Sequence, residues 1–275
     1  RAAAPDARGA PACKAPALHR AALPAVTAPP RVLAIAGSDS SGGAGIQADI
    51  KTVTMLGGYA MTAITAITAQ NTLGVTAVEA LSPELVAAQI DACLSDIGAD
   101  AVKIGMLGSP EVAHAVADRL EAAGRLPVVF DPVMVATSGA VLADEATVSA
   151  FGRLMALAAL TTPNLPELEA LGGREAMSAR SVAYLAKGGD AEGPEVVDAL
   201  VRPGLPDRVW RSPRIETRHA HGTGCTLSSA IATLLGRGLP LEEAIDEARE
   251  FVRRALLAAP GFGAGHGPMG HHAVR

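Results

Sequence analysis

The chain has 275 residues, 49% hydrophobic and 19% charged, with a net charge of −5 and a pI of about 5.8, enough for one large α/β core or two small ones. Aromatics make up 3% and no Lys/Arg cluster stands out, which argues against nucleic acid as a partner, and no apolar run approaches the roughly 18 residues of a membrane span. Cys13, Cys93 and Cys225 are odd in number and lack metal-like spacing, the pattern of reduced thiols in a cytoplasmic protein.

In chain order, residues 1–30 are rich in Ala and Pro without an apolar period and read as a disordered extension. Their Arg/Ala-rich, acid-poor composition touches that of a transit peptide, but the lack of Ser and the frequent Pro argue against one. From residue 31 strands and helices alternate, without a composition break, so residues 31–275 read as one domain. Arg31–Ala36 is a short apolar run ending at Gly37, as buried strands do. Gly45–Leu56 reads as a helix stopped by Gly57 and Gly58, and Met61–Ala69 as a Thr/Ile-rich strand. Ser82-Pro83-Glu84 combines an N-cap, a first-turn Pro and a first-turn acid, opening a helix that runs to about Ile97. Ala101–Ile104 is a strand, and Ser109-Pro110-Glu111 opens the next helix. Pro127–Asp131 is a strand ending in a carboxylate. Next come a helix near Glu145–Leu157, a strand near Leu160 and a short helix near Pro166–Leu171. Glu195–Val201 and Arg208–Trp210 suggest an antiparallel hairpin, and helices near Thr226–Leu235 and Leu241–Ala258 close the chain. The pattern predicts a mostly parallel sheet with helices on both faces. Ligands of such sheets bind beyond the carboxyl ends of the strands. Gly37, Gln70, Gly105, Asp131, Asn164 and Lys187 fall at or just after predicted strand ends, so they are expected to line one crevice.

Two glycine-rich segments carry the chemistry. Gly37–Gly45 is not a phosphate-binding P-loop, because Gly42 is followed by Gly43-Ala44 rather than Lys-Ser/Thr. Gly43-Ala-Gly45-Ile-Gln-Ala48 matches a loose dinucleotide pattern, but no acid ends the second strand, which closes as Ala69-Gln70-Asn71. What remains is a turn that brings backbone close to a small ligand. His221-Gly-Thr-Gly-Cys-Thr226 stands before an Ala/Leu/Ile helix. Gly222, Thr223, Gly224 and Cys225 there form a candidate anion cradle, with the helix start adding partial positive charge. The same field is expected to lower the Cys225 thiol toward the thiolate.

Several motifs occur in a fixed order: Gly37–Lys51, Ala69–Asn71, Lys103-Ile-Gly-Met106, Asp131-Pro-Val-Met134, Thr162-Pro-Asn-Leu-Pro-Glu167, Lys187-Gly-Gly189, His221–Cys225 and Gly265-His-Gly-Pro268. Together they resemble the hydroxymethylpyrimidine/phosphomethylpyrimidine kinases of thiamine biosynthesis, members of the ribokinase-like superfamily. The resemblance implies a three-layer ribokinase-like α/β fold. It also implies ATP-dependent phosphorylation of 4-amino-5-hydroxymethyl-2-methylpyrimidine, then of its monophosphate to the diphosphate. Cys225 would be the base, in place of the Asp found across much of the superfamily, with the amides of Gly222, Thr223 and Gly224 beside it. The ring would bind near Gly37, Asp49, Gln70, Met106 and Val133, with the Gln70 amide offering donor and acceptor to its edge. ATP would bind across Thr162, Asn164, Lys187 and Thr223, and Mg²⁺ at the carboxylates Asp131 and Glu167. The resemblance is compatible with a homodimer, although no interface is legible.

Two departures stand out. Arg174–Ala186 is shorter than the family's segment, barely fits a strand and a turn or two, and is expected to leave part of the sheet uncovered. Asp190 replaces the usual His after Lys-Gly-Gly, so an added negative charge is expected to weaken ATP binding. His266, His271 and His272 read as a flexible polar tail rather than a metal set. Two other readings compete. A pyridoxine/pyridoxal kinase acts on a ring that also bears a hydroxymethyl group, and a non-catalytic pyrimidine sensor would fit the shortened segment.

Overall fold

The computed structural model describes residues 28–135, 139 and 141–274; most of the extension expected to be disordered, residues 1–27, lies outside them. The elements are β1 (Arg31–Asp39), α1 (Gly45–Met55), β2 (Tyr59–Asn71), β3 (Gly74–Ala80), α2 (Pro83–Asp96), β4 (Ala101–Ile104), α3 (Pro110–Ala123), β5 (Val128–Phe130), α4 (Glu145–Leu157), β6 (Leu160–Thr161), α5 (Leu165–Ala170), α6 (Gly173–Ala179), β7 (Tyr184–Ala186), β8 (Glu195–Val201), β9 (Arg208–Pro213), α7 (Thr223–Gly236) and α8 (Leu241–Leu257). Among the described residues nine strands form one sheet, ordered β3-β2-β1-β4-β5-β6-β7-β8-β9. Neighbours from β2 to β7 are parallel, while β3 at one edge and β8–β9 at the other are antiparallel.

The strands explain the layering. Successive side chains point to opposite faces, and in the central strands both faces are buried. Leu33, Val102, Ile104 and Phe130 pack into a core with Val86, Val116 and Phe151 from α2, α3 and α4. Val32, Ala101 and Val129 face the other way, against Val53, Ile231 and Ile245 from α1, α7 and α8. The Phe130 and Phe151 rings meet edge to face, with centroids 5.1 Å apart. Helix starts are fixed locally. Ser82, Ser109 and Asp144 each accept a hydrogen bond from the backbone N–H three residues on, a contact typically worth about 1 kcal/mol. Among the described residues no helix is long and apolar enough to cross a membrane.

Several elements differ from the sequence expectation. Strand β3 is additional: Asn71 Oδ1 accepts from the N–H groups of Leu73 and Gly74, closing a hairpin whose second strand is largely exposed and so lacks a buried apolar face to announce it. Helix α7 begins at Thr223, so Cys225 lies in its first turn rather than ahead of it. The Arg174–Ala186 stretch holds the short helix α6 as well as β7. Met177 of α6 and Tyr184 of β7 are both buried in the core, so the sheet is covered there. The C-terminal segment is docked, not a tail. The Gly270 amide donates to Ala255 O at 2.9 Å, and buried His271 pairs through Nε2 with Thr226 Oγ1 at 2.8 Å. Burial holds His271 down to a pKa of about 4, hence neutral.

Met177→Ala removes the side chain that anchors α6. It is expected to lower unfolding free energy by about 2–5 kcal/mol in a urea titration; a loss of a few tenths would mean that α6 contributes little to the cover.

Candidate active site

A crevice of about 1190 Å³ opens at the carboxyl ends of the parallel strands. Register irregularities lie near its floor, between Ala36 and Ser38 of β1 and between Ala69 and Gln70 of β2. Bulges of this kind re-aim side chains at strand ends. Gly37, Gln70, Met106 and Val133 all line the crevice. A Cβ on Gly37 would come 2.3 Å from the Met106 methyl, so only glycine lets Met106 occupy that wall.

The loop after β1 is wrapped around one carboxylate. Asp39 accepts from the N–H groups of Ser41, Gly43 and Ala44 at 2.8–3.0 Å and from the Ser41 hydroxyl. His221 Nε2 lies 2.9 Å from Asp39 Oδ2. Burial pushes the Asp39 carboxyl up, but the His221 bond and those from Ser41 and Ala44 outweigh it and hold it at about 2. The anion segment leans on this loop. Gly222 has φ 87° and caps α7, and a Cβ there would sit 1.9 Å from Gly43 O. The left-handed backbone and the contact both require glycine.

The first turn of α7 carries Thr223, Gly224 and Cys225, and all three line the crevice. Amides of a first helical turn have no intrahelical acceptor; that of Thr223 turns back to Ala220 O at 3.3 Å. Across from them, Lys187 Nζ lies 2.7 Å from Asp131 Oδ1 and 3.9 Å from Glu167 Oε2. A Cβ on Gly224 would be 3.3 Å from Lys187 Nζ and 3.5 Å from Asp131 Oδ2, so helix start, lysine and carboxylate converge. Asn164 and Glu167 form a capping box at α5: Glu167 N donates to Asn164 Oδ1 and Asn164 N donates to Glu167 Oε2, each at 2.8 Å. Burial, then the nearby charges of Asp131 and Asp190, raise the Glu167 carboxyl to about 7 against the pull of Lys187. Among the described residues no group of three or more His, Cys, Asp or Glu side chains is arranged to hold a metal ion.

Beneath the crevice lies a buried ion pair. Lys103 Nζ is 2.9 Å from both oxygens of Asp49, and the Ser229 hydroxyl donates to Asp49 Oδ1 at 2.6 Å, with all three residues fully buried. Burial would lower the Lys103 pKa, but the carboxylates of Asp49 and Asp131 and the Cys225 sulfur more than reverse this. Burial drives the Asp49 carboxyl upward against Lys103 and Ser229. With the ammonium equidistant from its two oxygens, we assign the pair as ionised.

Four expectations change. Asp49 does not line the crevice but serves the ion pair below it. Thr162 is likewise buried, donating to Asp131 Oδ1 at 3.0 Å, and Gly105 is absent from the crevice lining. The Cys225 thiol is not lowered. Burial first, and then the charges of Asp49 and Asp131, push it to about 11, beyond what Lys103 and a bond from the Gly45 backbone recover. The ligand-free thiol is therefore protonated. Asn164, Lys187, Asp131, Glu167, Gln70, Met106 and Val133 do share the crevice. Lys103, Asp39 and His221 were not assigned roles from sequence. A lysine within a four-residue apolar strand was the available signal for Lys103, since such a charge is almost never buried without a partner. For Asp39 the signal was an acid at a strand end followed by Ser-Ser-Gly-Gly, whose amides can fold back onto it.

A largely parallel α/β sheet with a helix start, a lysine and carboxylates converging at its carboxyl edge is the architecture of the ribokinase-like small-molecule kinases. Within that class the chain belongs to the phosphomethylpyrimidine kinase family, whose model matches residues 39–270. A hydroxymethylpyrimidine/phosphomethylpyrimidine kinase of Rhizobium meliloti is 50% identical over 258 residues, covering 87% of this chain and 96% of that protein. The thiamine biosynthesis bifunctional protein ThiED of Geobacter sulfurreducens is 48% identical over 256 residues, and the match spans 87% of this chain but only 52% of that protein. Among solved structures, an ADP complex of Bacillus subtilis pyridoxal kinase superposes with a TM-score of 0.83 at 33% identity, covering 90% of this chain and 99% of that one. A phosphomethylpyrimidine kinase from Clostridium difficile gives 0.70 at 39% identity, covering 82% and 99%.

Lys103→Met strands a buried carboxylate and is expected to cost about 3–5 kcal/mol, whereas Lys103→Met with Asp49→Leu should recover most of that loss. Denaturant titration of the single and double variants decides; a double variant no more stable than the single would contradict the ion pair. Glu167 binds its proton more tightly folded (about 7) than unfolded (4.5). Its contribution to stability therefore falls as pH rises between those values. In ligand-free protein Glu167→Gln should flatten that fall in melting temperature; an unchanged slope would remove Glu167 as its source.

Proposed function

We propose that the protein transfers the γ-phosphoryl group of ATP to the hydroxymethyl group of 4-amino-5-hydroxymethyl-2-methylpyrimidine, and then a second one to the resulting monophosphate. The convergence of Cys225 and the α7 start with Lys187 and Asp131, in one crevice with Gln70, carries this reading. The ring lies between Met106 and Val133, with its polar edge on Gln70. Its hydroxyl points toward the first turn of α7, whose Gly224 and Cys225 amides and helix-start field favour the charge of the transferring group. Lys187 neutralises nucleotide phosphate.

A second cavity of about 420 Å³ shares Lys187, Thr223 and Gly224 with the crevice and is walled by Val196, Ile215, Leu227 and Val252. It is suited to the apolar faces of the nucleoside. Asp131 and Glu167 are hard oxygen donors, and Glu167 is raised first by burial and then by the charge of Asp131 beside it. They suit Mg²⁺, held directly or through water. Bound there, the ion would supply positive charge against the carboxylates and the transferring phosphoryl group. Cys225 is the group placed to take the hydroxyl proton. To accept it the thiol must first release its own proton to solvent, a step favoured by Lys103 and by compensation of the Asp131 charge, so that Cys225 acts as the thiolate. Residues Cys225, Asp131, Glu167 and Lys187 are all present, which favours an enzyme over a non-catalytic sensor.

Mass spectrometry of a reaction with the pyrimidine, ATP and Mg²⁺ is expected to show products carrying one and two phosphates. No phosphorylated pyrimidine, or a preference for pyridoxal in competition, would overturn the reading. Cys225→Ala is expected to lower kcat more than about tenfold while leaving ATP affinity nearly unchanged; a near-normal kcat would remove Cys225 as the base.

A further inference from the structure

Gln70 presents both a donor and an acceptor, and which end of its amide faces which neighbour decides what it can recognise. Its backbone is pinned to the loop after β1: Gln70 N donates to Ser40 Oγ at 2.8 Å, and that hydroxyl donates to Gln70 O at 2.7 Å. The amide then sits between two groups. His221 Nε2 is 3.2 Å from Gln70 Nε2, and Thr68 Oγ1 is 3.3 Å from Gln70 Oε1.

Counting protons orients the amide. Asp39 is ionised and can only accept, so His221 Nε2, 2.9 Å from Asp39 Oδ2, must carry a hydrogen. An N–H of that kind cannot accept from a second N–H. The Thr68 hydroxyl has one proton, and Ser38 O takes it at 2.9 Å, which leaves Thr68 Oγ1 an acceptor. The single Nε2–H, directed mainly at Asp39 Oδ2, can be shared only with an amide oxygen and never with an amide N–H, and Thr68 Oγ1 accepts only from the amide nitrogen, so the oxygen faces His221 and the nitrogen faces Thr68. The imidazole itself has little freedom, since a Cβ on Gly43 would come 2.5 Å from its Cδ2.

We propose that His221, held by Asp39, is a specificity-determining positioning residue: it fixes the Gln70 amide so that one oxygen lone pair and one N–H remain for an adjacent amino donor and ring-nitrogen acceptor. This rests on the pyrimidine kinase reading. The preference reverses on a ring bearing a carbonyl and a protonated ring nitrogen at the same positions, because donors then face donors. A site built around fixed hydrogen bonds discriminates strongly against the mismatched analogue.

The test compares kcat/KM for 4-amino-5-hydroxymethyl-2-methylpyrimidine and its 4-oxo counterpart. His221→Leu, which removes the donor, is expected to cut the amino-over-oxo ratio by roughly tenfold or more, through KM for the amino ring, with KM for ATP unchanged. His221→Gln places an N–H near the same point and should restore most of the ratio. An unchanged ratio in His221→Leu, or an equal fall for both rings in both variants, would show that His221 is merely structural. Should the His221 variants fail to fold, Thr68→Val removes the other neighbour of the amide and is held to the same criterion. If the wild-type protein phosphorylates neither ring, the reaction assignment fails on its own. The ratio of the two rings' dissociation constants, measured by calorimetry on wild type and His221→Leu, then decides the role of His221 separately.

Discussion

The site stands on the buried pair of Lys103 and Asp49. Two charges at full burial are costly unless each finds its partner in good geometry, and here one ammonium meets both oxygens of one carboxylate while Ser229 supplies a further bond. Those three residues belong to β4, α1 and α7. The pair therefore fixes two helix starts against the central sheet. Asp49 is one turn beyond Gly45 on α1, and Ser229 one turn beyond Cys225 on α7. Side chains four apart share a helix face, so the contact of Ser229 with Asp49 brings Cys225 level with Gly45, whose backbone bonds the thiol. A core interaction thus sets the position of Cys225 in the crevice.

A second constraint joins the two glycine-rich segments directly. Gly43 O abuts Gly222, and His221 reaches Asp39 across the same seam. The loop after β1 and the start of α7 therefore hold a fixed separation. For in-line transfer between a hydroxyl and a phosphoryl group, that separation is the quantity catalysis depends on, since misplacement by about 1 Å can cost two orders of magnitude in rate.

Much of this was legible in the sequence, for local reasons. Ser82, Ser109 and Asp144 mark helix starts through bonds made within three residues, and the apolar runs at 31–36, 101–104 and 127–130 mark strands buried on both faces. What was not legible depends on tertiary neighbours. Strand β3 has no buried face to print a pattern. Asp49 resembled a ring contact because its position in the chain fits, yet its partner, Lys103, comes from another layer of the fold. The thiol was misjudged because a helix start is a modest effect that fades within a turn, whereas burial beside Asp49 and Asp131 acts in the opposite direction and is larger. The span from Arg174 to Ala186 looked too short for a helix and a strand, but two turns suffice for α6 to place Met177 over the sheet.

These pKa shifts describe a site in which burial and clustered carboxylates act together. Glu167 near 7 and Cys225 near 11 both retain protons first because they are buried, and then because neighbouring carboxylates add to that effect against Lys187 and Lys103. Lys187 meanwhile spends its charge on Asp131, 2.7 Å away. Under the proposed reaction, each of these is a stand-in. Lys187 would be released to nucleotide phosphate, with Asp131 and Glu167 left to hold a divalent cation that supplies countercharge in its stead. The exchange removes one of the charges that keep the thiol protonated, while the charge of Lys103 below it stays in place. Loss of the thiol's own proton to solvent, without which Cys225 cannot accept another, would then be favoured by the arrival of the nucleotide and its cation, which restrains the base from acting before a phosphoryl donor is in reach. Asp190 belongs to the same balance. It raises Glu167 further in the empty crevice, so it favours the cation-bound state even as it opposes bare phosphate.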